Sequence, residues 1–202
     1  KLYVSRTGFT NELGFEIYTK GDTTDHLALW DHLVMSGKSY GMEVSSTRAL
    51  TIRRIEGGIL GNLTDMDITM SPFEAGLKPF VNLEKGDFIG RDALLKCDKR
   101  QVLLGLTCET AVPASGNLVF CDNKVVGRIT AGVPSPTLGV GIGYVRFFEP
   151  GDWIGSASKI ELSDGMMCPC DIVELPFFDR KKEIVKGINR KIPEKNLSLP
   201  PT

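Results

Sequence analysis

Short apolar segments alternate with turns along the second half of the chain, and this pattern restricts the fold more than any other feature. The sequences Asp-Asn-Lys at 122–124 and Ser-Asp-Gly at 163–165 stand where hairpin turns are expected. Many short strands at this spacing predict a small antiparallel barrel or a sandwich over residues 99–178. The segments that we interpret as strands are QVLLGLTC, NLVFC, VVGRIT, VGIGYVRFF, SKIEL and MMCPCDIVEL.

The first 98 residues have a different pattern, which mixes helices with strands. Apolar residues recur at helical spacing over 23–36 and 45–56, and both segments begin with Ser, Thr or Asp residues that can cap a helix. A short helix is predicted after Gly90, and residues 15–18 have the pattern of a strand. Because strands and helices do not alternate as in a parallel sheet, the sequence predicts an α+β fold over 1–98. The apolar stripe of the first helix consists of Leu27, Trp30, Leu33 and Val34.

Both ends of the sequence carry expectations of their own. Residues 1–4 have the pattern of a strand and lack an initiating methionine, so we expect a fragment or a chain cut from a longer protein. After Phe178 the sequence is charged and then proline-rich, which predicts a loose extended tail over 179–202.

Charge and hydropathy narrow the classes of partner. The formal net charge is -1, and no basic patch is interleaved with aromatic residues, so we expect no nucleic-acid partner. No apolar run reaches the length of a membrane span, so we expect no membrane association.

The cysteines indicate a reducing environment. Their number is odd and they are scattered through apolar segments, which favours buried, reduced thiols over a disulfide framework. Cys168 and Cys170 lie two apart and would face the same side of a strand, so a metal pair is the less favoured alternative. We therefore predict no metal site and a reducing compartment such as the cytoplasm. The five cysteines are Cys97, Cys108, Cys121, Cys168 and Cys170.

The segment SRTGFTNELGFEIY, residues 5–18, contains the main candidate binding residue. Two glycines break the segment, and Glu16 stands in the strand that follows them. Spacing alone favours a solvated strand carboxylate at Glu16, and an acceptor aimed at a ligand is the alternative. The two histidines, His26 and His32, fall off the apolar stripe of their helix and are expected to be solvated.

Four segments, taken in order, carry motifs that occur together in one known family. SRTGFTNELGFEI is similar to the motif SRTGYTGExGFEI, and RRIEGGIL at 53–60 is similar to LRLEAG. MSPFEAGLKPFVNLEKGDFIGRDALL at 70–95 resembles PLEAGLxxFVxLxKxDFIGxxAL, and RITAGVPSPTLG with IGYV at 128–145 resembles TSGxxSPTLGxxIAxGYV. Because these segments span nearly the whole chain, it is identified as a member of the glycine-cleavage T-protein family of folate-dependent transferases.

The resemblance implies a fold and a cofactor. Residues 1–98 would form the C-terminal portion of an α+β folate-binding domain, and 99–178 would form its β-barrel domain. In such proteins tetrahydrofolate lies in a central channel, and the glutamate at the position of Glu16 pairs with the amino and ring N–H groups of the pterin. Phe9 stands at the family's tyrosine position beside the folate and keeps the aromatic face without the hydroxyl. Glu12 occupies a variable-loop position and is expected to be exposed.

The resemblance also implies a reaction and partners. A one-carbon unit moves from a small-molecule donor, or from a lipoyl-type carrier protein, to N5 of tetrahydrofolate. The family's catalytic aspartate lies in the N-terminal half, before Lys1, so the resemblance assigns no catalytic residue to this chain. The missing N-terminal half of the same protein is therefore an expected partner. The expected location is the cytoplasm, or the mitochondrial matrix in a eukaryote.

One departure from the family pattern bears on the site. Glycine-cleavage T-proteins carry an arginine in an ARD triplet, and Leu50 stands at that position here. Arg48, half a turn away, is the candidate substitute for its contact with a carboxylate. The departure is closer to the folate domains of dimethylglycine and sarcosine dehydrogenases and to methyl-transferring demethylases, and a non-catalytic folate-binding module is a further alternative. Glu56 and Glu74, in family-like motifs, are expected to satisfy backbone groups or pair with arginines.

Overall fold

The computed structural model describes residues 2–191 and residue 200, which form a small α+β part followed by a closed β-barrel. The α+β fold class and the barrel predicted from the sequence are confirmed. The helices are α1 (His26–Lys38), α2 (Thr47–Glu56) and α3 (Arg91–Lys96), with a 3-10 helix at Lys78–Phe80. The strands are β1 (Tyr3–Ser5), β2 (Glu16–Tyr18), β3 (Leu103–Cys108), β4 (Leu118–Cys121), β5 (Lys124–Ser135), β6 (Val140–Phe147), β7 (Ser158–Glu161) and β8 (Met167–Val173).

The barrel contains six antiparallel strands in the order β3-β6-β5-β4-β7-β8. Strand β3 pairs with β6 on one side and with β8 on the other, which closes the ring. A closed ring has no free strand edge, whereas a sandwich has several. Closure therefore decides between the two architectures that the sequence left open.

Strand β5 runs to Ser135 and is longer than its sequence pattern predicts, because glycines that resemble turn signals lie inside the sheet. A Cβ atom at Gly132 would lie 2.1 Å from the carbonyl oxygen of Pro113. A Cβ atom at Gly141 in β6 would lie 2.1 Å from the carbonyl oxygen of Ala111. These glycines mark the close approach of another backbone segment to the barrel wall.

Both faces of β3 are buried, and they belong to different clusters. Leu104 and Leu106 lie in the barrel core, while Leu103 packs with Ile55 of α2 and with Tyr144. Side chains alternate between the faces of a strand, so one face fills the barrel and the other holds the helix. This packing fixes the end of α2, and its charged residues, against the barrel wall. The other fully buried side chains of the barrel core include Val119, Ile129, Val145 and Ile160.

The cysteines are all free thiols. Cys108, Cys168 and Cys170 lie in the barrel core, as predicted for buried thiols, whereas Cys97 and Cys121 are partly exposed. No group of three or more Cys, His, Asp or Glu side chains in the described part of the chain is arranged to hold a metal ion.

Alkylation of the native protein at pH 7 should modify Cys97 and Cys121 and leave Cys170 intact. Burial raises the pKa of the Cys170 thiol to about 12, so the reactive thiolate is scarce at neutral pH, and the thiol is enclosed as well. Peptide mass spectrometry after iodoacetamide treatment measures each site, with denatured protein as the control in which all five react. Rapid modification of Cys170 in native protein would contradict the prediction.

Helix α1 forms close to its predicted place, but its apolar stripe is exposed. Asp25 accepts a hydrogen bond from the backbone N–H of Ala28 at 3.0 Å, so the helix begins at His26 and not at residue 23. Leu27 is 79% exposed and Trp30 is 52% exposed. No residue of α1 is buried by the described part of the chain. The amphipathic pattern therefore predicted the helix correctly, but no described part of the chain covers its apolar side chains.

Residues 179–191 form turns that pack against the rest of the molecule, whereas their composition predicts a loose extension. Ile184 is buried, and the carboxylate of Asp179 accepts the backbone N–H groups of Glu183 and Ile184. We call residues 179–191 the C-terminal segment. The remainder of the predicted tail, 192–199 and 201–202, lies outside the described residues.

Candidate functional site

The carboxylate of Glu16 is held by two hydroxyl groups. Glu16 begins β2 and pairs in register with Ser5 of β1. Its Oε2 accepts hydrogen bonds from the Thr7 hydroxyl and from the Tyr18 hydroxyl, the latter at 2.8 Å. Both bonds reach the same oxygen, and Oε1 accepts none from the residues that the structure describes. The site therefore fixes the orientation of the carboxylate and leaves one oxygen for a ligand donor.

The same hydroxyl groups keep Glu16 ionised. The hydrogen bond from Thr7, and then that from Tyr18, lowers the pKa of Glu16 below its ordinary value of 4.5. An ionised carboxylate is an acceptor only, and its hydrogen bonds with N–H donors are stronger than those of a neutral acid. Glu16 is therefore suited to a ligand that presents N–H groups.

Phe9 and Arg48 are available on the surface of the described part. Phe9 is 39% exposed and lies in the loop between β1 and β2, residues 6–15, which we call the β1–β2 loop. Arg48 is exposed in the first turn of α2 and forms no hydrogen bond or ion pair with any described residue. No hydrogen bond, ion pair or ring contact joins Glu16, Phe9 and Arg48 to one another within that part of the chain. Their grouping in one site thus stays a prediction.

Glu12, which the sequence predicts to be exposed, is partly exposed and is also paired. It forms an ion pair with Arg53 of α2, and its side chain is 39% exposed. Arg53 also donates to Glu56 and lies 5.5 Å from the ring centroid of Phe178. The guanidinium thus connects the β1–β2 loop, α2 and the chain that leaves the barrel. Sequence reasoning missed this contact because Glu12 and Arg53 are far apart in the chain and no local pattern relates them.

Glu56 is a buried carboxylate that joins α2 to the barrel. Its Oε1 accepts from the hydroxyl of Ser135 at 2.5 Å and from the backbone N–H of Thr137 at 3.2 Å. Its Oε2 accepts from the hydroxyl of Thr137 at 3.0 Å and from Arg53. The expectation that Glu56 satisfies a backbone group and pairs with an arginine is confirmed.

Glu74 has the related role that the sequence predicts. Its carboxylate accepts the backbone N–H of Ser71 at 2.7 Å, and the Ser71 hydroxyl accepts the backbone N–H of Glu74 at 3.2 Å. This reciprocal arrangement closes the turn that leads into Ala75, which is buried.

A second buried ion pair lies one residue away on α2. Arg54 donates to Asp65 at 2.8 Å, with 10% of the arginine side chain and none of the aspartate side chain exposed. Asp65 also accepts from the backbone N–H of Gly61 at 2.7 Å and from the hydroxyl of Thr130 at 2.9 Å. The aspartate therefore holds the loop after α2 against strand β5.

A cavity of about 820 Å³ opens where the end of α2 meets the barrel. Its apolar lining includes Ile59, Leu77 and Phe80, and its charged lining includes Arg180 and Lys182. Apolar walls with a few polar groups are typical of small-molecule sites.

Comparison with known proteins assigns the family. The family model described as "GCVT N-terminal domain" matches residues 1–85, and the model "Glycine cleavage T-protein C-terminal barrel domain" matches residues 99–179. The chain belongs to the glycine cleavage T-protein family. The resemblance read from the four motifs is thereby confirmed.

Curated and solved members of the T-protein family resemble the chain over most of its length. An aminomethyltransferase of Alkaliphilus oremlandii is 42% identical over 88% of this chain and 48% of its own length. One from Streptomyces coelicolor is 34% identical over 89% of this chain and 50% of its own length. The crystal structure of glycine cleavage system aminomethyltransferase T from Bartonella henselae superimposes with a TM-score of 0.71 and 28% identity, covering 87% of this chain and 49% of that chain. The chain thus spans about half the length of the T-protein relatives that it matches.

The predicted site residues fall within the first T-protein segment. Glu16, Phe9 and Arg48 all lie in residues 1–85. None of the helices in the described ranges is long and apolar enough to span a membrane.

Proposed function

We propose that the complete protein is a tetrahydrofolate-dependent aminomethyl- or methyltransferase that moves a one-carbon unit to tetrahydrofolate. The observation that carries this proposal is the Glu16 carboxylate, which is ionised, held by two hydroxyls and open at Oε1. The chemistry of this acceptor fits the adjacent amino and ring N–H groups of a pterin. We assign residues 1–98 to the folate-binding domain and 99–178 to its barrel.

The pterin would bind with one N–H directed at Oε1 of Glu16. A second N–H needs a share of Oε2, where the hydroxyls of Thr7 and Tyr18 already donate. A hydroxyl rotates with little energy and can turn to another acceptor. The second N–H of the pterin therefore either displaces one of the two hydroxyls from Oε2 or shares that oxygen with them. Glu16 then orients the flat ring, and its neighbours hold the carboxylate in place.

Two further residues suit other parts of the ligand. Phe9 offers an exposed aromatic face for a flat ring. Arg48 has a guanidinium that pairs with no described residue, and its planar fork matches the carboxylate groups of a folate tail. Neither residue carries out chemistry in this proposal. Tetrahydrofolate, when bound, supplies the N5 atom that accepts the one-carbon unit.

The exposed apolar residues of the α+β part are proposed to pack against the N-terminal half that the T-protein relatives possess. Leu27, Trp30 and Met35 of α1 are all more than half exposed, and so are Phe15 and Tyr40. Large apolar side chains that are exposed in such numbers favour an interface, and we propose one here. The relatives extend to about twice the matched length, and that remainder can cover this surface. The catalytic aspartate is placed there as well.

A second candidate function is the folate domain of an N-methyl amine dehydrogenase or demethylase. Leu50, which stands at the family's arginine position, is exposed on α2 and offers no charge to a substrate carboxylate. Turnover of dimethylglycine or sarcosine by the full-length protein supports this candidate, and turnover of an aminomethyl group on a lipoyl-type carrier supports the first. Folate binding without either turnover supports a non-catalytic module. The free thiols are compatible with the cytoplasm or the mitochondrial matrix under each candidate.

Replacing Glu16 by alanine in the full-length protein should weaken the binding of a reduced folate about 10- to 100-fold. The loss follows because alanine removes the charged acceptor, whose hydrogen bonds with N–H donors are stronger than those of a neutral acceptor. Isothermal titration calorimetry measures the dissociation constant, and Glu84→Ala removes an exposed carboxylate as a matched control. Unchanged affinity in Glu16→Ala would rule out this role for the residue.

The binding should also depend on pH with a definite sign. Because the folded-state pKa of Glu16 is lowered, the carboxylate stays ionised through mildly acidic conditions, and ligand binding through it is lost only as the pH falls below about 4.5. The Glu16→Ala variant lacks this acid limb, so comparison of the two pH profiles isolates the contribution of the residue.

A further inference from the structure

The C-terminal segment contacts the β1–β2 loop at its start and at its middle. At the start, Arg6 donates from Nη2 to the carbonyl oxygen of Val185 at 2.8 Å. In the middle, Nζ of Lys182 donates to Oδ1 of Asn11 at 2.8 Å and to the carbonyl oxygen of Gly57 at 2.5 Å. A single short segment thus holds the loop at two points and ties it to the end of α2.

The contact at Lys182 is the buried one of the two. Asn11 is 5% exposed, and its Nδ2 has no hydrogen-bond partner in the described part of the chain. Lys182 therefore satisfies the Oδ1 end of this buried amide, and it is the side-chain partner that the described residues give it. Burial lowers the pKa of Lys182, partly opposed by the charge of Asp179. If the ammonium group is removed, the amide of Asn11 is left buried with neither end bonded, which disfavours the present position of the loop.

Left-handed backbone conformations occur at both partners of this contact. Lys182 has φ of 56° and Asn11 has φ of 58°, in the region that glycine occupies most easily. Asp179, at φ of 51°, accepts backbone N–H groups of the turn and so helps to hold Lys182 in place.

The loop that is held in this way carries one of the two hydroxyls that fix Glu16. Thr7, next to Arg6, donates its hydroxyl to Oε2 of Glu16. Glu12, next to Asn11, pairs with Arg53. We therefore expect a shift of the loop to move the Thr7 hydroxyl, while the Tyr18 hydroxyl stays with β2.

We propose that Lys182 is a positioning residue: through Asn11 and Gly57 it clamps the β1–β2 loop and thereby keeps Thr7 and Glu16 in the geometry that receives the ligand. The identity of that ligand as a reduced folate rests on the proposed function. The clamp itself rests only on the contacts of the C-terminal segment.

The test compares Lys182→Met with Lys182→Arg and with Lys181→Met in the full-length protein. Methionine keeps the apolar stem and loses the donors, arginine keeps the charge and donors, and Lys181 is an exposed neighbour whose side chain binds no described residue. In Lys182→Met we expect hydrogen exchange over residues 6–16 to accelerate about 10-fold, and the affinity for a reduced folate to fall about 10-fold, as expected for the loss of charge-assisted hydrogen bonds. Lys182→Arg should restore a part of both, and Lys181→Met should change neither.

The two measurements separate the clamp from the ligand assignment. If the wild-type protein binds no reduced folate while exchange in the loop still accelerates in Lys182→Met, the proposed function is wrong and the clamp stands. Unchanged exchange in residues 6–16, or an equal acceleration over the barrel strands, overturns the clamp. If Lys182→Met does not fold, Arg6→Gln tests the second contact between the C-terminal segment and the same loop, and unchanged exchange over residues 6–16 in that variant overturns the clamp as well.

Discussion

Glu56→Ala is expected to lower the free energy of unfolding by about 3–4 kcal/mol, which makes it one of the two most damaging single changes that we predict. The carboxylate is 1% exposed and accepts four hydrogen bonds, from Arg53, from Ser135 and twice from Thr137. Alanine leaves the buried Ser135 hydroxyl and the Thr137 groups without their acceptor, and Arg53 keeps Glu12 as its only carboxylate partner. Chemical denaturation of the wild-type and variant proteins measures the difference.

Two matched variants separate the bonds of Glu56 from its bulk. Glu56→Gln keeps the shape and one acceptor oxygen, so it should cost less, about 1–3 kcal/mol. Glu109→Ala removes an exposed carboxylate and should change stability by less than about 0.5 kcal/mol. A loss in Glu56→Ala no larger than that of Glu109→Ala would show that the network contributes nothing.

The consequence of losing Glu56 extends beyond stability. The hydrogen bonds from Ser135 and Thr137 join the Glu56 carboxylate, at the end of α2, to the end of β5 and to the loop that follows it. Arg53 carries the same link on to Glu12 in the β1–β2 loop. Damage to this network should therefore also reduce ligand binding at Glu16, although Glu56 does not touch that residue.

Local patterns in the sequence were sufficient to predict that the strands of the barrel and the three α-helices exist, although not every boundary. The alternation of apolar segments and turns predicted the strands, because each strand of a small barrel buries one face inside it. Ser46 accepts the backbone N–H of Ala49 at 3.3 Å, as a capping residue before a helix should. The extent of β5 was not predicted correctly. The strand segment VVGRIT ends at Thr130, whereas β5 continues to Ser135 and includes Gly132, which admits another backbone segment.

Contacts between distant parts of the chain could not be predicted in this way. The pairing of Glu12 with Arg53, and of Lys182 with Asn11, depends on how the C-terminal segment and the β1–β2 loop meet α2. Nothing in the sequence near Glu12 distinguishes a paired carboxylate from a solvated one. The charged composition after Phe178 likewise predicted a loose tail. Composition alone does not show that the fold buries Ile184.

The candidate site could be predicted from the sequence only through the family resemblance. Periodicity alone favoured a solvated Glu16, whereas the structure adds two hydroxyl donors and a lowered pKa. Those donors are Thr7, which is part of the family motif, and Tyr18, which directly follows it, and spacing could not single out either residue. The exposed stripe of α1 could also not be interpreted from its pattern, because an amphipathic helix has the same sequence whichever surface covers it.

Asp65→Ala is expected to destabilise the protein by about 3–5 kcal/mol, because it leaves the guanidinium of Arg54 buried without a counter-charge. The alanine also frees the backbone N–H of Gly61 and the hydroxyl of Thr130. Urea denaturation measures the loss. In the double variant Arg54→Met/Asp65→Ala the unpaired charge is gone, so stability should recover in part and the two single effects should not add. If the double variant instead loses the sum of both single effects, the ion pair is not the cause, and the loop after α2 is held by its backbone and apolar contacts alone.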